Sequence, residues 1–274
     1  NIFIRLNSSV RGQDVYLIQT HAKPVHTNIM EMLIAIDCFK RDSAGRVTVV
    51  TPYMSYSQSD KKDQPRVPIT ARLLADMIEV AGADRWVTID LHAGQIQGFY
   101  KIPGDSLTAL HIICKYIRAK GLNGTVVTTD LGFAKGGRNY AEALGFPLAF
   151  IEKRRTGPTG TREALTLIGS VEGRDVLIVD DLVDTAGSVQ QAAEIVRAHG
   201  ARDVYLAFTH PVLSPPAIDR LRGLDLKEII TTDTLPIAPQ DRLPNMTILT
   251  VADLLGEVII RSHEGRSVGE LFNE

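Results

Sequence analysis

Val176-Leu177-Ile178-Val179-Asp180-Asp181-Leu182-Val183-Asp184-Thr185-Ala186-Gly187-Ser188-Val189 passes from an apolar run into two adjacent carboxylates, then a turn of small residues, then a helical pattern. An apolar run of this kind predicts a strand buried on both faces, and such strands belong to mostly parallel sheets. Working outward, strands are expected at 14–19, 46–50, 85–89, 125–129, 148–152, 175–179, 203–208 and 228–232. Helices are expected at 25–40, 69–81, 106–120, 132–144, 188–199, 215–221 and 251–263. Alternation of the two is the signature of an α/β fold. Gly82, Gly121, Gly145 and Gly200 each follow an expected helix and precede a strand, where a left-handed helix stop favours glycine. Ala81-Gly82-Ala83-Asp84-Arg85 and His199-Gly200-Ala201-Arg202-Asp203 share this pattern across the two halves of the chain. A boundary near Pro103–Thr108 would divide it into two α/β units, 1–107 and 108–264, with 265–274 packing back on the first.

In open α/β sheets ligands bind at the carboxyl ends of strands. The turn 184–188 would present backbone N–H groups at a helix N-terminus, and these with the helix dipole suit a phosphate dianion. Thr185 and Ser188 add hydroxyl donors, and Gly187 permits close backbone approach. Asp180 and Asp181 repel a phosphate, so they suit sugar hydroxyls or the water shell of a metal ion. Asp184 and Ser188 taken singly would be helix caps. Two carboxylates directly after a buried strand are harder to explain structurally. The spacing points to one ligand with a phosphate at one end and a diol beside it.

The rest of the sequence narrows the field. The chain has 274 residues, 44% hydrophobic and 23% charged, which suits a soluble protein of two ordinary domains. A formal charge of −2 offers no long-range attraction for nucleic acid or an anionic membrane. No apolar run is long enough to span a bilayer and the first residues do not resemble a signal peptide, so a cytoplasmic location is expected. Cys38 and Cys114 sit in apolar helical patterns away from other ligand-type residues and are expected as buried free thiols. Two segments lack periodicity: 52–68, rich in Ser, Asp, Lys and Gln, and 153–162, rich in Gly, Arg and Thr. Long loops of this kind in compact α/β domains are commonly functional.

The loop 179–189 resembles the phosphoribosyl pyrophosphate motif shared by phosphoribosyltransferases and ribose-phosphate pyrophosphokinases. Asp90-Leu91-His92-Ala93-Gly94-Gln95-Ile96-Gln97-Gly98-Phe99 resembles a signature of the pyrophosphokinases that phosphoribosyltransferases lack. Similarity extends over Ser9–Tyr16, Ile29–Ile34, Pro68–Leu73, Thr209–Ser214 and Arg261–Phe272, nearly end to end. The resemblance implies two phosphoribosyltransferase-like domains, each a mostly parallel sheet flanked by helices. It places the family's first strand and a Phe-containing adenine loop ahead of Asn1. It implies transfer of the diphosphoryl group of ATP to ribose 5-phosphate, with Mg²⁺ as cofactor, in a dimer-based homo-oligomer that can extend to a hexamer. Carried onto this sequence, Lys153 and Arg155 in Glu152-Lys153-Arg154-Arg155 match the catalytic flexible loop. Asp180, Asp181, Asp184, Thr185, Ala186, Gly187 and Ser188 match the ribose 5-phosphate site. Gln58, Ser59, Asp60 and His92 match the ATP site, and His92 and Asp130 match the metal-associated positions. By its position alone Asp130 could equally cap the helix that follows it, and a basic run such as 153–155 could equally be a solvated surface.

Three positions depart from the family pattern. Gln58 stands where Arg is usual, Lys101 where an acidic residue is frequent, and Gly136 where a basic residue is common. Gln cannot replace a guanidinium against a polyanion, so weaker ATP binding is expected. A catalytically silent regulatory paralogue is the alternative reading. A phosphoribosyltransferase would leave the 90–99 segment and Lys153–Arg155 without a role.

Overall fold

The computed structural model describes residues 1–156, 162–269 and 271, without the side chains of 153–156 and 162–164. The chain forms two compact units, Asn1–Thr108 with Ala252–Glu274, and Ala109–Val251.

The first unit is built on four parallel strands in the order β1 (Asp14–Ile18), β2 (Arg46–Thr51), β3 (Arg85–Ile89) and β4 (Gly104–Leu107). Helices α1 (Val25–Arg41) and α2 (Thr70–Ala81) pack on it, burying Met32, Ile36, Leu74 and Ile78 against Val47, Val49 and Trp86. Each such side chain removed from water contributes about 1.5–3 kcal/mol. α2 ends at Gly82 with φ 109°, the left-handed stop expected there.

The second unit carries a seven-stranded sheet in the order β11 (Met246–Leu249), β10 (Glu228–Thr232), β9 (Val204–Pro211), β8 (Asp175–Val183), β5 (Gly124–Thr128), β6 (Leu148–Thr156) and β7 (Arg162–Ile168). All neighbours are parallel except β6 and β7. Val176 to Val179 are fully buried at its centre, as an apolar run between two helical layers requires. α3 (Leu110–Ala119), α4 (Ala134–Leu144), α5 (Gly187–Ala198) and α6 (Ala217–Gly223) complete the unit.

The structure departs from the sequence expectations in four places. The helix expected from Ser106 is preceded by β4, and α3 begins at Leu110. Gly104 disguises that strand. It pairs with Trp86, whose indole lies about where a Cβ at 104 would be. The segment expected as a loop at 153–162 is entered by β6 running on to Thr156 and left by β7 from Arg162, antiparallel in register Thr156↔Arg162. Its charged composition hides the strand pattern. β11, only four residues at the sheet edge, has no sequence signal of its own.

The last difference is α7 (Ala252–Glu264), which the sequence reading assigned to the second unit. It belongs to the first. Arg46 Nη2 donates to the Ser262 carbonyl at 2.9 Å, and His263 Nδ1 lies 2.9 Å from Asp14 Oδ2. Arg46 also grips Asp14 through two bonds of 2.7 and 2.5 Å, which hold the Asp14 carboxyl down at about 2. The two cysteines are free; Cys114 is buried, with its thiol pushed up to about 11, and Cys38 is half-buried.

Candidate functional site

In the second unit β8 delivers Asp180 and Asp181 while still in the sheet, then ends at Val183. Thr129, just past β5, donates its hydroxyl to Asp180 Oδ2 at 2.6 Å, and the Asp181 N–H donates to Asp180 Oδ1 at 3.0 Å. The Asp180 carboxyl is pushed well above the ordinary carboxylate range, first by burial and then by the charge of Asp181, with Asp130 adding to it. Negative charge is gathered here, and a cation or sugar hydroxyls would relieve it.

The turn that follows is shaped by Ala186. Its φ is 60° and ψ 16°, and its Cβ is buried. An L-residue in this conformation costs about 1 kcal/mol or more. The left-handed residue of the turn is thus Ala186, whereas Gly187, expected to permit close backbone approach, has no positive φ. α5 begins at Gly187 with Ala186 at its N-cap, a residue whose side chain has no polar group to cap the helix. Asp184 Oδ1 is buried without a hydrogen-bond partner among the described residues. Such a group costs about 1–3 kcal/mol unless something pairs with it. Sequence reasoning missed Thr129 as a partner of Asp180, and also Arg220, whose Nη1 donates to the Thr185 carbonyl at 2.9 Å from α6. Neither carries a motif; only the fold brings them here.

Asp130 accepts at Oδ1 from the N–H groups of Gly132 (2.8 Å) and Phe133 (3.3 Å), so it closes the turn that leads into α4. The missing basic residue at 136 has a packing reason. A Cβ there would sit 2.3 Å from the Phe133 ring, so any side chain at 136 requires that ring to move.

In the first unit, β3 ends at Ile89 and Asp90 takes φ 38° before His92, which is exposed. The turn Gly94–Phe99 follows, and Gln95 Nε2 donates to Asp60 Oδ2. The candidate nucleotide loop and the His92 segment are thus joined through Asp60, which is buried. Ser59 is engaged with α2: Thr70 N–H donates to its Oγ at 3.4 Å and Ala71 N–H to its carbonyl at 3.1 Å. Gln58, which precedes Ser59, is exposed.

Lys153 and Arg155 lie on β6, opposite Leu165 and Glu163 in the β7 register. Their side chains lie outside the described residues, as do residues 157–161 of the same segment. His92 and Asp130 belong to different units. Among the described residues no group of three or more His, Cys, Asp or Glu is arranged to hold a metal, and no helix is long and apolar enough to cross a membrane.

A parallel sheet with paired acids at a strand end and a helix-opening turn of small residues is the architecture of phosphoribosyl-binding α/β domains. Residues 1–82 match the N-terminal domain of ribose phosphate pyrophosphokinase, and residues 156–273 match the phosphoribosyl synthetase-associated domain. The chain belongs to the ribose-phosphate pyrophosphokinase family. It is 46% identical over 273 residues to the ribose-phosphate pyrophosphokinase of Caldanaerobacter subterraneus subsp. tengcongensis, covering 99% of this chain and 86% of that protein. It is 44% identical to ribose-phosphate pyrophosphokinase 1, chloroplastic, of Arabidopsis thaliana, covering 99% of this chain and 68% of that one. The crystal structure of phosphoribosylpyrophosphate synthetase from Mycobacterium smegmatis superposes with a TM-score of 0.92 at 41% identity, covering 97% of this chain and 87% of that one.

Proposed function

We propose that the chain makes phosphoribosyl pyrophosphate and AMP from ATP and ribose 5-phosphate. The anomeric oxygen of the sugar attacks the β-phosphorus of ATP, the bond between the β-phosphorus and the α,β-bridging oxygen breaks, and AMP leaves with that oxygen. The observation that carries this reading is the end of β8. Paired carboxylates there adjoin a helix N-terminus with no side-chain cap, a combination that suits a sugar diol and a phosphate on one ligand.

In this reading Thr185, Ala186, Gly187 and Ser188 hold the 5-phosphate, and Asp180, Asp181 and Asp184 accept from ribose hydroxyls. Lys153 and Arg155 stabilise charge on the transferred group, Arg by a planar fork and Lys as a point charge. Gln58, Ser59, Asp60 and His92 form the ATP side. Of these, Asp60 and Ser59 act mainly by shaping the loop, since both are already bonded within the unit.

The family resemblance makes Mg²⁺ the expected cofactor, with His92 and Asp130 as the metal-associated positions; such an ion keeps much of its shell from phosphates and water and needs few protein ligands. It would neutralise charge on the polyphosphate. The family resemblance adds a homo-oligomer and a cytoplasmic setting to the proposal.

The test is AMP release from ATP, ribose 5-phosphate and the protein, with Mg²⁺ or with a chelator. Release that needs all three components is expected. No AMP, with ribose 5-phosphate still bound, would favour the silent regulatory paralogue. Pyrophosphate release from phosphoribosyl pyrophosphate and a nucleobase would point to a transferase instead.

A further inference from the structure

The turn 184–188 is held from outside by residues that follow β9. Leu213 N–H donates to the Val183 carbonyl at 3.0 Å, and Arg220 Nη1 donates to the Thr185 carbonyl at 2.9 Å. Arg220 Nη1 also lies 3.4 Å from where a Cβ on Gly187 would be, so the guanidinium rests against the backbone of the turn. Among the described residues Arg220 forms no ion pair; its neighbour Arg222 takes the nearby Asp219.

The peptide between Thr185 and Ala186 is trans. In a trans peptide the C=O and the following N–H point in opposite directions. A guanidinium that captures Thr185 O therefore aims Ala186 N–H to the far side, away from Arg220. Without it, the left-handed backbone at Ala186 loses the contact that fixes this plane, and a rotated plane would turn a carbonyl oxygen toward the ligand phosphate. That oxygen would repel a dianion where a donor is required.

We propose that Arg220 is a positioning residue for ribose 5-phosphate: acting through the Thr185 carbonyl, it orients the Ala186 N–H toward the sugar phosphate. The inference rests on the sugar-phosphate reading of the turn. It goes further by naming a residue outside the motif on which that site depends.

The experiment measures binding of ribose 5-phosphate and of AMP, separately and by calorimetry, to the wild type, Arg220→Met and Arg220→Lys, together with their melting temperatures. Arg220→Met should weaken ribose 5-phosphate by about tenfold or more, the loss of one hydrogen bond to a charged donor. AMP binding and melting temperature should stay at wild-type values. Arg220→Lys keeps a charged donor and should recover most of the affinity. Wild-type sugar affinity in Arg220→Met would overturn the inference while leaving the site intact. Equal loss of both ligands with a lower melting temperature would also overturn it, as a purely structural role. A wild type that binds AMP but no ribose 5-phosphate would remove the site itself, and the inference with it.

Discussion

The strand-end regions of the two units use their helix N-termini differently. In the first, the loop before α2 supplies Ser59 to the helix N–H groups, and Asp60 is bonded to Gln95. In the second, α5 opens with no side-chain cap, its turn contains a strained Ala186, and Asp184 Oδ1 is buried without a partner among the described residues. His21 Nε2 in the first region and Asp184 Oδ1 in the second are each buried without a partner among the described residues, so the regions differ in how their helices open rather than in how fully their polar groups are paired. Under the proposed function the first would act as a shaped platform and the second as a charged receptor, because unsatisfied groups at a helix end are tolerated where binding pairs them.

The comparison can be broken most severely through the groups brought to the receptor. Lys153→Ala or Arg155→Ala should lower kcat by about 10³-fold, the scale of losing one preorganised charge-stabilising donor, while ribose 5-phosphate affinity holds. Steady-state AMP release and calorimetry check this, and unchanged kcat would remove the role of that segment.

Asp180→Asn with Asp181→Asn should cost about 10²-fold in kcat/KM without lowering the melting temperature, because burial and repulsion already disfavour the Asp180 charge. A large fall in stability would make the pair structural.

The platform should show its internal economy as a pH effect. His21 is buried, accepts at Nδ1 from Ser55 N–H and Oγ, and keeps Nε2 without a partner among the described residues. Burial pulls it from 6.5 down to about 4. The unfolded chain therefore takes up a proton first as pH falls. Stability is full above about pH 6.5 and should drop by about 2 kcal/mol between pH 7 and pH 5, by proton linkage. Urea unfolding of wild type against His21→Gln at both pH values measures it; equal pH slopes would refute it.

Ser59→Ala should cost no more than about 1 kcal/mol of stability, the worth of one ordinary hydrogen bond from the Thr70 N–H, with ribose 5-phosphate affinity unchanged. The smallest effect is expected from Gln58→Arg, a fewfold fall in KM for ATP, since the position is exposed and solvent screens the added charge. An unchanged KM would show that the missing guanidinium is not what limits nucleotide binding.

Much of the fold was legible because its strands are apolar throughout and its helices periodic. β3 and β10 were expected at the bounds they have, 85–89 and 228–232. β4 was hidden by Gly104, whose smallness answers to Trp86 on the neighbouring strand. β6 was expected over 148–152, but its run on through Lys153-Arg154-Arg155-Thr156 was hidden by charge, and β7 was missed despite the apolar Leu165 and Leu167. The strand-to-helix turn after β8 was legible because its acids, hydroxyls and glycine form a local pattern. The hydrogen bond from the Thr70 N–H to Ser59 was not legible, because the two residues are far apart along the chain.

The sequence by itself determined the α/β class and the family, and it singled out the turn proposed to hold a phosphate, since these depend on short-range periodicity and on motifs contiguous in the chain. Only the tertiary structure decided that α7 returns to the first unit, that Thr129 and Arg220 serve the β8 turn, and that Phe133 fills the place of a side chain at 136. The contacts of α7, Thr129 and Arg220 join residues far apart along the chain, which no local spacing encodes, and the Phe133 contact depends on a ring orientation that residue order does not give.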